Sequence, residues 1–134
     1  MKVVLDTNIV ISAIFFGGIP KTIVRAALAK RIELVATPQV LDEYREVARR
    51  LKVAYPTISY RRALAIIESL ATMVKPATLS GSICRDRDDD VIIACALGGK
   101  AKIICSGDDD LLALDGYRDL EILTPARFSA TYLK

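Results

Sequence analysis

The stretch "VVLDTNIV" sets a carboxylate, a hydroxyl and an amide between two aliphatic runs, and the carboxylate, Asp6, directly follows a strand-like segment. A second acid, Asp108, stands just past "KIICS". In open parallel α/β sheets, sites form beyond the carboxyl ends of the strands. These two acids therefore share one sheet edge if their strands are neighbours. Helix geometry places two more. The helix expected from Pro38 carries Asp42, Glu43 and Glu46. At about 100° per residue its apolar stripe centres near Tyr44 and Leu51. Asp42 and Glu46 then point to water. Glu43 lies on the flank, as a solvated helix acid or as one that reaches over the sheet edge. In "CRDRDDDVIIACAL" (84–97) acids gather at a helix start, where free N–H groups and the helix dipole favour carboxylates. Capping is the expected role of one or two of Asp86, Asp88 and Asp89. Asp90 differs, because Ala94 and Leu97 follow it at helical spacing and place it at the start of the buried face.

Asp6, Glu43, Asp90 and Asp108 are thus four separated acids that topology can bring together. Like charges near a core repel one another and raise pKa values unless a cation or proton offsets them. Mg²⁺ or Mn²⁺, hard and oxygen-seeking, is the natural counter-charge. The chain has no histidine, which excludes Ser-His-Asp and Cys-His catalysis and imidazole metal sites. Its three cysteines are odd in number, and none form a C-x-x-C pair. They are expected to pack rather than to pair or bind zinc. Asp86, Asp88 and Asp90 alternate like the ligands of a calcium hand. Val91 stands where that loop needs its glycine, though, and Leu97 where it needs its last glutamate, so the hand is rejected.

The elements that must position these acids alternate. Strands are expected over 2–5, 32–36, 74–79, 101–106 and 120–123. Helices are expected over 9–16, 20–30, 38–52, 59–73, 88–97 and 109–114, with a last one from Thr124-Pro125. Thr37-Pro38 reads as an N-cap followed by a first-turn proline, and Gly98-Gly99 as a helix stop. Such alternation implies a mostly parallel sheet covered on both faces. At 134 residues, 52% of them hydrophobic and 26% charged, the composition is that of one folded domain spanning 1–134. The formal charge of +3 permits a nucleic-acid partner without requiring one. The absence of a long apolar run or signal-peptide pattern sets the expectation of a cytoplasmic protein with no membrane partner.

Taken together, "VVLDTNIVISAIF", the glutamate of "TPQVLDEYREV", "CRDRDDDVIIACAL" and "IICSGDDDLLAL" resemble the PIN domain in order and spacing, over nearly the whole chain. The likeness is closest to small prokaryotic PIN proteins described as toxin components of toxin–antitoxin pairs, the VapC-like toxins. The resemblance implies a three-layer α/β/α fold around a mostly parallel sheet of about five strands, and a metal-dependent ribonuclease activity. It makes Asp6, Glu43, Asp90 and Asp108 the catalytic and metal-binding acids. Asn8 would be the polar partner in the first motif, Ser106 the hydroxyl two residues before the last acid, and Asp110 a further acid of that motif. Arg87 departs from the pattern, since close relatives often carry proline there.

On this reading the acids hold one or two Mg²⁺ or Mn²⁺ ions, and activated water hydrolyses the RNA backbone. Arg85 and Arg87 are the candidate substrate-phosphate contacts. Arg45, Arg49 and Arg50 face either substrate or their own helix acids. A cognate antitoxin and a homodimer are the expected protein partners. Two rivals stand beside it. One is a catalytically silent PIN-like scaffold that binds RNA or protein. The other is an aspartyl-phosphate phosphohydrolase, for which Asn8 occupies the place of a required second acid.

Overall fold

The computed structural model describes residues 1–81, 83 and 87–134. The elements run β1 (Lys2–Leu5), α1 (Thr7–Phe15), α2 (Gly18–Leu28), β2 (Glu33–Ala36), α3 (Pro38–Ala54), α4 (Arg61–Leu70), β3 (Thr72–Met73), α5 (Arg87–Gly98), β4 (Ile103–Cys105), α6 (Asp109–Leu112), a 3₁₀ turn (Tyr117–Asp119), β5 (Glu121–Leu123) and α7 (Pro125–Tyr132). Five strands form one sheet in the order β3-β2-β1-β4-β5, every pair parallel. With helices on the sheet this is the three-layer α/β/α architecture expected from the sequence.

β1 is the central strand, and the chain builds outward from it twice. It first moves through β2 to β3, then returns to lay β4 on the other side of β1, followed by β5. The boundary between β1 and β4 is therefore the topological switch point, where open α/β sheets form their binding crevice. Val3 pairs with Ile103 and Leu5 with Cys105, so the two strands end level and deliver the residues after them to one place. Their aliphatic side chains are buried on both faces, as parallel strands under helices require. Helix α5 lies across β1, β2 and β4 and touches α3, while α1 packs on α2 and α3.

Two expected caps are present. Thr37 Oγ1 accepts the Val40 N–H at 3.2 Å with Pro38 in the first turn of α3, and Thr124 Oγ1 accepts the Arg127 N–H at 3.2 Å ahead of Pro125. Three expectations need correction. The third strand is not 74–79 but Thr72–Met73, two residues taken from the end of the expected helix 59–73. Val74 still donates to Ala36 O, but Pro76 has no N–H for the ladder. The chain then leaves the sheet, and Ala77 N–H bonds Ala94 O of α5 at 2.9 Å. Helix α1 begins at Thr7 rather than at Ile9, because the Asp6 carboxylate caps it. Gly98 and Gly99 do not stop α5 by adopting a left-handed backbone. They allow close approach: a Cβ on Gly98 would lie 1.9 Å from Lys75 O, and one on Gly99 would lie 2.4 Å from Val35 Cγ1. Among the described residues no single helix is long and apolar enough to cross a membrane.

Candidate metal centre

Asp6 leaves β1 with extended backbone and caps α1. Its Oδ1 accepts the Thr7 N–H at 2.8 Å. Its Oδ2 accepts the Ser106 hydroxyl at 2.7 Å, and Ser106 Oγ in turn accepts the Asp108 N–H at 2.9 Å. Ser106 is fully buried and Asp6 nearly so. One hydroxyl thus ties the loop after β1 to the loop after β4. A buried carboxylate needs such donors, because losing water without replacement costs several kcal/mol, roughly 2–7 even for a neutral polar group. Asp108 caps the short α6, its Oδ1 accepting the Asp110 N–H at 2.9 Å.

Carboxylate oxygens of Asp89, Asp108 and Asp110 lie within 4.8 Å of one another. Asp89 is buried, Asp108 half-buried and Asp110 exposed, so the group opens from the core toward solvent. Octahedral ligands at about 2.1 Å stand at most about 4.2 Å apart. Three oxygens this close can therefore share one ion after small rotamer adjustments. The all-oxygen donor set suits a hard divalent cation rather than a thiolate- or imidazole-seeking metal.

Glu43 is half-buried on the flank of α3, between exposed Asp42 and buried Tyr44. The Tyr44 hydroxyl donates to Leu5 O at 2.5 Å, next to Asp6. Burial first, then the negative field of its neighbours, Asp6 and Glu43 among them, push the Tyr44 pKa well above the usual phenol range. Cys105, behind Asp6, is pushed up to about 12 by burial and by Asp6. Cys95, buried under α5, is pushed up to about 11 by burial. Both thiols are free and packed, as expected. Cys84 lies outside the described residues.

The sequence and the structure disagree over α5. Sequence spacing put Asp90 at the start of the buried face and read Asp89 as a capping candidate. Asp89 is the buried acid, and Asp90 is half-exposed. The Asp90 carboxylate accepts the Ile83 N–H at 3.2 and 3.3 Å, which ties α5 to Ile83. Ile92, Ile93 and Ala96, at i+3, i+4 and i+7 from Asp89, are all essentially inaccessible and share its buried face. Asn8 is exposed and makes no hydrogen bond to Asp6; Ser106 and the Thr7 amide orient that carboxylate instead. Arg87 is exposed in the first turn of α5, and Arg85 lies outside the described residues. Arg45, Arg49 and Arg50 pair with acids of α3 and α4: Arg45 with Asp42 and Glu68, the others with Glu46.

A family model described as "PIN domain" matches residues 2–110. An uncharacterized protein of Methanocaldococcus jannaschii is 34% identical over 118 residues, covering 85% of this chain and 75% of its own length. No solved structure gives a significant match. The match spans β1 through the last of the clustered acids, so the chain belongs to the PIN domain family, whose members are generally metal-dependent nucleases.

Proposed function

We propose that the chain is a Mg²⁺- or Mn²⁺-dependent endoribonuclease that hydrolyses RNA phosphodiester bonds, working in the cytoplasm as the toxin of a toxin–antitoxin pair. The observation that carries this reading is the convergence of Asp89, Asp108 and Asp110 beside the Asp6–Ser106 link, at the switch point of the sheet. Asp89, Asp108 and Asp110 would hold the ion, with Asp6 and Glu43 completing the acidic pocket and Asp90 flanking it. When bound, the ion supplies Lewis-acid stabilisation of the phosphate and a nucleophilic water. The chain's own residues do the positioning. Ser106 holds Asp6 and the Asp108 backbone in fixed relation, and Asp90 holds the Ile83 amide. Arg87, exposed in the first turn of α5, would contact a substrate phosphate, whose oxygens suit a guanidinium. With no histidine in the chain, the proton of the attacking water passes to a carboxylate or to solvent. The antitoxin and homodimer belong to the same reading. Exposed Phe16, packed edge-on against Tyr55 with ring centroids 5.2 Å apart, offers apolar area for a protein contact.

The test is cleavage of a labelled single-stranded RNA with Mn²⁺, comparing the native chain with Asp108→Asn. We expect a loss of about 10²–10³-fold, the scale on which single electrostatic groups act in active sites. Calorimetric Mn²⁺ binding should weaken in parallel. The metal-free melting temperature should stay or rise, because one like charge is gone. Full activity in that variant overturns the assignment.

A further inference from the structure

The opposite end of the sheet carries a row of cations that this site does not use. Lys2 opens β1 and lies beside Lys102 at the approach to β4, one residue before the Val3–Ile103 pair. Lys30 and Arg31 precede β2, and Lys100 follows α5. All five are exposed. Among the described residues, none of the five takes part in an ion pair. Glu33, Asp119 and Glu121 share this end, and the Glu121 carboxylate accepts the Tyr132 hydroxyl. Two grooves open here, one of about 580 Å³ beside Lys2, Lys100 and Lys102, the other of about 420 Å³ beside Lys30 and Arg31; both reach Met1.

The backbone adds an independent observation. Lys30 and Lys100 have φ of +60° and +56°, the left-handed region that disfavours a side chain. Each follows a helix in the same closing motif. Arg31 N–H bonds Ala26 O at 2.9 Å while Lys30 N–H bonds Ala27 O at 3.0 Å. Ala101 N–H bonds Ala96 O at 2.9 Å while Lys100 N–H bonds Leu97 O at 3.3 Å. Glycine is the usual residue at that position. Here lysine occupies it twice, on either side of β1, with neither side chain packed. Strain kept at two equivalent places without a packing return points to function.

We propose that this row binds the phosphate backbone of single-stranded RNA, as a second contact surface remote from the acidic pocket; the proposal rests on the nuclease reading. A pocket of carboxylates repels a polyanion, and cations elsewhere on the chain supply the sequence-independent attraction that keeps it bound. Lysines act as point charges on phosphate and carry no base preference. The concave grooves suit a strand of nucleic acid better than the flat surface of a bilayer.

The experiment measures anisotropy of fluorescein-labelled oligouridine with the full chain, in chelator so that nothing is cut, across a salt series. The variant Lys2→Gln/Lys100→Gln/Lys102→Gln should bind roughly tenfold more weakly. Its slope of log K against log salt should fall by about 2, near 0.7 for each cation lost. Lys21→Gln/Arg25→Gln/Arg127→Gln removes the same charge elsewhere and should keep the native slope. Thermal melts confirm that each variant folds. Equal binding by native and first variant, equal losses in both variants, or no binding by the native chain overturns the proposal. So does release from phosphatidylserine vesicles in the first variant with RNA binding unchanged, which would assign the surface to a membrane. Binding is read without cleavage, so the two readings fail separately. A chain that binds through these lysines but never cuts loses the nuclease reading alone. One that cuts while the first variant binds normally loses only this surface.

Discussion

At the carboxyl ends of β1 and β4, Asp6 and the Asp108 backbone meet through one buried serine; at the amino ends of the same strands, Lys2 and Lys102 stand side by side in solvent. The anionic end is partly inside the protein, so its oxygens are fixed by N–H and O–H donors from three segments. The cationic end is outside, where water stabilises the ammonium groups and the protein adds only a long 3.4 Å bond from Lys2 Nζ to Gly99 O. A parallel sheet makes this division possible, because every strand points the same way and each end is built from a different set of loops. The contrast teaches that the acids are held for geometry and the lysines for field.

The largest effect should separate neighbours on α5. Asp89→Asn is expected to lower Mn²⁺-dependent RNA cleavage by about 10²–10³-fold. Asp90→Asn should lower it by about tenfold or less, the scale of one hydrogen bond to the Ile83 amide. The reverse order would return the inner position to Asp90. Next comes Ser106→Ala, which unties Asp6 from Asp108. Loss of such an orienting group typically costs about 10–100-fold in metal affinity or activity, and about 1–3 kcal/mol of stability for the buried oxygen left behind. Calorimetry with Mn²⁺ and urea denaturation read the two effects, and an unaltered variant would mean that the hydroxyl link is incidental. The smallest effect lies at the other end. Lys100→Gly should raise stability by about 1 kcal/mol, because glycine takes the left-handed backbone without strain, while weakening oligouridine binding in chelator. A destabilised variant would show that Lys100 serves the fold.

Much of the architecture was legible because it rests on local rules. Aliphatic runs separated by helical segments imply parallel strands, and Thr37-Pro38 and Thr124-Pro125 mark helix starts wherever they occur. The third strand was misplaced because it is two residues long, and its limits are set by a neighbour, Ala36, and by the missing amide of Pro76. The glycine pair was read as a helix stop, and α5 does end at Gly98; the second use, contact, was not legible, because the backbone at Lys75–Ala77 passes too close to Gly98 for a Cβ. Asn8 lies next to the acidic end in sequence and exposed in space, whereas Ser106, one hundred residues from Asp6, makes the bond.

The amino-acid sequence by itself determined the chemistry available here: carboxylates without histidine, one directly after an aliphatic strand and another three residues past one. The tertiary structure decided which oxygens converge. Helix α5 is apolar on nearly every side, so its pattern does not say which of three consecutive aspartates turns inward. Consecutive helical residues differ by about 100°, and only packing against β1, β2 and β4 sets that rotation.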